Sequence, residues 1–288
     1  MEANVMKKYI ILAETGADLT EELINKYQIF IIPMHVTFGD ETKADGSFPT
    51  TDLFNYYKKT GSLPKTAAAN SMEFEEIYEK IHAEYPDAHI LYLAYSAQTT
   101  STYQNGVIAM EGRDYITAID SRHVSAGQAL FITLMARYIE KHPDISIEEI
   151  KYYADELSNR VKMGFFPGDL DYLRAGGRVS NAAYLGAKLL SLNPLIEIQH
   201  GLLIATKKYR GKMARIASKL TNDFIKENHL SKEILYFVYS DGLDSHIREQ
   251  VEKEAMDMGF QEIKWIETGC VVSTHSGPGA FGIVGIQE

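Results

Sequence analysis

"HILYLAYSAQTTSTYQNGVIAMEG", residues 89–112, decides how the first half of the chain is read. It opens on a short apolar run, His89 to Leu93, and passes through Ser96, Thr99, Thr100, Ser101 and Thr102 into a helix-like segment. Strand, hydroxyl-rich connection and helix in that order form the unit of a parallel α/β sheet covered on both faces. Ligands of such sheets bind beyond the carboxyl ends of the strands, at helix N-termini. Hydroxyls and free backbone N–H groups there favour an anion. A helix start also needs a Ser or Thr as its cap. The stretch is read as an anion cradle and a cap at once, with Ser96 and its neighbour Ala97 at its centre.

The same alternation extends in both directions. "KYIILA" is read as the first strand, and "DLTEELINKY" as a helix capped by Asp18 with Glu21 three residues on. "IFIIPMHVTFG" is read as one strand with an edge or bulge at Pro33. "DETKADGSFPT" is read as a loop, and helices are expected over "TDLFNYYKKTG" and "SMEFEEIYEKIHAEYP". The strand "DYITAID" and the apolar helix "SAGQALFITLMARYIEKH" follow. After the charged helix "SIEEIKYYADELSNRVK" the pattern changes. "GFFPGDLDYLRAGGRVS" reads as irregular and "NAAYLGAKLLSLN" as a helix. "PLIEIQ" and "LLIATKKYRG" form a hairpin about His200-Gly201. Two helices, two strands and a last strand in "GPGAFGIVGIQE" complete the chain. The fold class is α/β: an N-terminal three-layer α/β/α domain with a parallel sheet, residues 1–163, and a C-terminal α/β domain, residues 164–288.

The 288 residues, 45% hydrophobic and 24% charged, suit a globular protein of about two domains. A net charge of -10 argues against a general nucleic-acid binder. Cys270 is the one cysteine, which excludes an internal disulfide and a CxxC motif and fits a reducing cytoplasm. No segment approaches the ~20 apolar residues of a membrane helix, and no signal peptide is read at the start. No Walker motif, GxGxxG after the first strand or HExxH is present, so no cofactor or metal is expected.

Four further clusters could carry chemistry. In "LPKTAAANS" Thr66 is read just ahead of a helix, with three alanines that admit a close ligand. "RAGGRVS" places Gly176 and Gly177 between Arg174 and Arg178, an anion site or a structural turn. "KKYRG", with Arg210, is a local basic cluster suited to docking or to a phosphate. "THSGPGAFG" puts His275 in a glycine-rich turn among hydroxyls. His275 would be the base for a catalytic serine, but the elbow pattern GxSxG is absent.

Taken in order, "AETGADL", "FGDETKADG", "PKT", "YSAQTTSTYQNG", "IDSRHVSAG", "DYLRAGGRVS", "NPLIEI", "KKYRG" and "HSGPGAFG" resemble the DegV family of bacterial fatty-acid-binding proteins over nearly the whole chain. The resemblance implies two α/β domains and one long-chain fatty acid in a tunnel. The bound acid is presented to a fatty acid kinase that makes an acyl phosphate for phospholipid synthesis, so the protein would be a carrier and not an enzyme. Thr66 and Ser96 would then bind the carboxylate, and Arg210 and His275 would lie near the head group or the kinase. Met110, Phe131, Met135, Phe165, Phe166 and Leu189 are available to line a tunnel. The chain departs from the family where Ala97 follows Ser96 in place of a second serine, and where Ala67-Ala68-Ala69 follow Thr66 in place of Ser-Gln-Pro. It departs again at Glu14 and Thr15, where aspartate and serine are usual. The competing readings are a subunit that handles a small polar metabolite, like the substrate-binding part of dihydroxyacetone kinases, and an interaction protein that docks through "KKYRG".

Overall fold

A computed structural model describes residues 8–179 and 192–288. The first half holds β1 (Tyr9–Glu14), α1 (Glu21–Tyr27), β2 (Phe30–Ile32), β3 (His35–Phe38), β4 (Glu41–Ala44), α2 (Thr51–Thr60), β5 (Lys65–Ala67) and α3 (Ser71–Glu84). β6 (His89–Ala94), α4 (Thr102–Ala109), β7 (Ile116–Asp120), α5 (Ser125–Lys141) and α6 (Ile147–Arg160) complete it. The second half begins with β8 (Val161–Phe166), α7 (Leu170–Gly176), β9 (Leu192–Gln199), β10 (Leu202–Arg210) and α8 (Met213–Glu227). It ends with β11 (Leu230–Tyr239), α9 (Ser245–Asp257), β12 (Glu262–Glu267), α10 (Cys270–Ser276) and β13 (Phe281–Gln287).

β2, β1, β6 and β7 form a parallel sheet in that order. β6 is buried from Ile90 to Ala94, as its unbroken apolar run requires. A six-stranded mixed sheet has the order β10-β9-β8-β13-β11-β12. α5 lies between the two sheets, and its buried side chains Ala129, Leu130, Phe131 and Ile132 share one core with β1, β6, β8 and β11. Leu130, Phe131 and Ile132 each contribute roughly 1.5–3 kcal/mol on burial. α8 and α9 cover the other face of the mixed sheet around Phe224, Phe237 and Phe281. Sheet membership changes at Val161, where α6 gives way to β8. A division after residue 163 would cut through that strand.

Several local expectations change. The strand through Pro33 is two strands in different sheets, because proline has no N–H to continue a ladder. The expected loop after it contains β4, which pairs with β3, and Thr66 lies inside β5, which pairs with the other edge of β3. α1 is capped by Thr20, whose hydroxyl accepts from Leu23 N at 3.3 Å. Asp18 has a left-handed φ of 53° and turns its carboxylate inward. The segment read as irregular supplies β8 and α7, and His275 sits on the last turn of α10 rather than in an open turn. The β9–β10 hairpin is as expected: His200 and Gly201 both have positive φ, 51° and 82°, which a two-residue turn matched to strand twist demands. Of the helix expected over 181–193, residues 181–191 lie outside the described ones, and so does Leu189; Leu192 and Asn193 begin β9.

Candidate functional site

Between the loops at the carboxyl end of the parallel sheet and the near face of the mixed sheet lies a cavity of about 310 Å³. Its apolar wall includes Val124, Met163, Phe165, Leu203, Val238 and Val271. Its polar residues include Thr66 on β5, Thr99 to Ser101 before α4, Ser125 at the start of α5, Arg178 after α7, and His275 on α10.

Thr66 and His275 define the polar end. Thr66 Oγ1 and His275 Nε2 are hydrogen-bonded at 2.9 Å. Burial, reinforced by the nearby Arg178 cation, lowers the imidazole pKa to about 4, so the ring is neutral at physiological pH. Its Nδ1 has no hydrogen-bond partner among the described residues. Gly176 backs the ring so closely that a Cβ there would lie 2.2 Å from Nδ1. Arg178 follows directly; its Nη1 donates to Gly176 O at 2.7 Å, and Val179 bridges to Leu203 of β10. A neutral imidazole, a threonine hydroxyl and a guanidinium at one end of an apolar cavity can hold a carboxylate whose remainder is hydrocarbon.

α10 is fixed from behind by two motifs near the start of the chain. Asp18 Oδ1 accepts from Gly269 N at 2.7 Å, and Asp45 Oδ1 accepts from Cys270 N at 2.8 Å. Asp18 Oδ2 also accepts from Ser125 Oγ at 2.5 Å, and Ser125 stands on the cavity wall with a φ of 48°. Burial raises the pKa of both aspartates, and the Asp45 charge adds to the rise at Asp18. Glu14 is fully buried and committed: it accepts from Tyr92 OH, from Tyr95 N at 3.1 Å and from Gln128 Nε2 at 2.8 Å. Burial pushes its carboxyl upward too.

Of the residues singled out from sequence, Thr66, His275 and Gly176 come together here. Ser96 is fully buried but is not on the cavity wall: its Oγ donates to Gly201 O at 2.7 Å and clasps the β9–β10 turn. Ala97 is also off the wall, its N donating to Asp120 Oδ1 at 3.3 Å. Gly177 closes α7 with a left-handed φ of 63°, and a Cβ built on it would meet open space. Arg210 lines a separate groove with Lys219 and Asp223. Phe165 lines the cavity, whereas Phe131, Met135 and Phe166 are core and Met110 packs under α3 and α4. Ala67 and Ala68 do face the cavity and bring no polar atom beyond their backbone. Thr99, Thr100, Ser101 and Arg178 are the wall residues given less weight; the hydroxyl run and the paired glycines were their signals. Among the described residues no group of three His, Cys, Asp or Glu side chains could hold a metal. No helix among them is long and apolar enough to cross a membrane.

A mixed α/β protein with a largely apolar cavity and a polar end is therefore the class that the geometry defines. The model of the DegV family of uncharacterised proteins matches residues 8–288, and the chain belongs to that family. It is 26% identical to a fatty acid-binding protein of Thermotoga maritima, with 96% of each chain covered. It is also 26% identical to a DegV domain-containing protein of Caldanaerobacter subterraneus, covering 96% of this chain and 98% of that one. A fatty-acid-binding DegV family protein of Thermus thermophilus superposes with a TM-score of 0.87 at 21% identity, over 98% of this chain and 100% of that one. A DegV lipid-binding protein of Thermotoga maritima gives 0.82 at 25% identity, over 98% and 99%.

Proposed function

We propose that this protein binds one long-chain fatty acid in the cavity, with the carboxylate at Thr66, His275 and Arg178, and presents that carboxylate to a fatty acid kinase for acyl-phosphate formation. The observation that carries the reading is the pairing of an apolar wall with a Thr66–His275 end beside a guanidinium. Each methylene buried contributes roughly 0.8 kcal/mol, so the hydrocarbon supplies most of the affinity and the polar end sets direction. Likeness to the fatty acid-binding protein of Thermotoga maritima supports the ligand class.

The protein acts as a carrier in this reading. Thr66 and His275 stand at the spacing of a nucleophile and its base, but an imidazole with a pKa of about 4 is a poor base at neutral pH. No acid orients its Nδ1, so the third member of a catalytic triad is lacking among the described residues. The Cys270 thiol is buried and its pKa is pushed up to about 12, far from a reactive thiolate. A small polar metabolite would leave the wall of Val124, Phe165 and Leu203 without a partner.

Native mass spectrometry of the protein as purified, followed by denaturing extraction and lipid analysis, tests the ligand. One tightly held acyl chain per protein is expected. An empty protein that also refuses palmitate and oleate would overturn the reading. Phosphorylation of the loaded acid by an added fatty acid kinase with ATP tests the carrier role.

A further inference from the structure

A second cavity, of about 290 Å³, lies beyond the first along β8. Alternate residues of this strand face α5, so Phe165, Met163 and Val161 stand in line at steps of roughly 6.6 Å. Phe165 lines the first cavity, Val161 the second, and Met163 is the one described residue that lines both. Across from it, α5 carries a glycine. A Cβ on Gly127 would come 3.0 Å from Met163 Sδ and 3.3 Å from His123 Nδ1. Met163 thus lies against bare helix backbone, beside a buried histidine whose Nδ1 has no partner among the described residues. The second cavity has a mainly polar lining, with Arg122, Lys162 and His200 on it. Methionine is unbranched and readily repacked, which makes it a movable barrier.

Resting on the fatty-acid reading above, we propose that Met163 is the partition that ends the acyl cavity and fixes the longest chain the protein accepts. Space beyond it exists, and its side chain against Gly127 closes the passage. Shortening the side chain opens the passage, and the strand-side surface at Val161 extends the apolar wall. A methyl on Gly127 acts in the opposite sense by driving the methionine into the acyl cavity.

The test is calorimetric titration of the wild type, Met163→Ala, Met163→Leu and Gly127→Ala with saturated fatty acids of about twelve to about twenty-two carbons. Affinity in the wild type should climb about fourfold per methylene up to a cut-off and then stop. Met163→Ala should move the cut-off up by about two carbons, so acids just past the wild-type limit gain about tenfold. Met163→Leu, which nearly conserves volume, should leave it in place, and Gly127→Ala should move it down. Gly127→Ala keeps the test decisive should Met163→Ala not fold. A cut-off unmoved in the Ala variants overturns the partition while leaving the ligand intact. Failure of every variant, wild type included, to bind any acid overturns the ligand reading and the partition with it.

Discussion

Thr66 and His275, 209 positions apart in the chain, meet at 2.9 Å across the polar end of the cavity. β3 places Thr66, because β5 pairs with it through Val36. Asp18 and Asp45 place His275, because they hold the first N–H groups of α10. The contact therefore depends on elements from both ends of the sequence.

Thr66 and Ser96 should separate cleanly by mutation. Thr66→Ala removes a hydroxyl at the polar end of the cavity, where the carboxylate is proposed to sit, and fatty-acid affinity should then fall about tenfold or more, as for a hydrogen bond to a charged group. Its melting temperature should hardly move. Ser96→Ala leaves Gly201 O unpaired in the interior and should cost about 1–3 kcal/mol of stability with affinity unchanged. Titration calorimetry and urea denaturation read the two effects, and the reverse pattern would return Ser96 to the ligand.

Gly176 and Gly177 should differ in kind. A methyl at Gly176 collides with His275 and should weaken binding, since the imidazole must leave Thr66. A methyl at Gly177 meets open space but is strained at a φ of 63°, so Gly177→Ala should lose about 1 kcal/mol of stability and no affinity. Equal affinity losses at both positions would refute the contact.

His275 should titrate in the folded protein with a midpoint of about 4, against an ordinary 6.5. Because the folded value is depressed, this group's contribution to stability is complete above pH 6.5 and is lost as pH falls toward about 4. Imidazole proton shifts followed by NMR measure it. A midpoint near 6.5 would mean that the ring is solvated.

Asp18 has the opposite sign. Its folded pKa lies above the ordinary 3.8, so its contribution is present at low pH and is lost as pH rises through the elevated value. Asp18→Asn keeps an acceptor for Gly269 N, and the Ser125 hydroxyl can turn to accept from the new amide. The variant should gain on the wild type as pH rises from 4 to 8, in urea denaturation curves taken across that range. A variant uniformly less stable at every pH would show that the carboxylate is needed ionised.

The parallel sheet was legible because β6 is apolar without interruption, and the hairpin because His200-Gly201 is the turn its twist requires. β5 was not legible: three residues, none of them buried, carry too short a pattern to betray a strand. α7 was masked by the glycines around it, and α10 by its hydroxyls: Ser273 bonds to Thr268 ahead of the helix, and Thr274 donates to the backbone of its own turn at Cys270 O. At the site, the residue types were legible and their directions were not. Ser96 and Thr100 carry the same hydroxyl chemistry four positions apart, but the β9–β10 turn takes the first and the cavity the second. That choice is made by a segment more than a hundred positions away.

The burial of α5 between the two sheets has a thermodynamic consequence. Its apolar surface is shared, one side with β1 and β6 and the other with β8 and β11, so neither half of the chain can retain its own interior once the other is lost. Heat should therefore unfold the whole molecule in a single calorimetric transition whose van't Hoff and calorimetric enthalpies agree, and a ligand held at the seam should raise the melting point of both halves together.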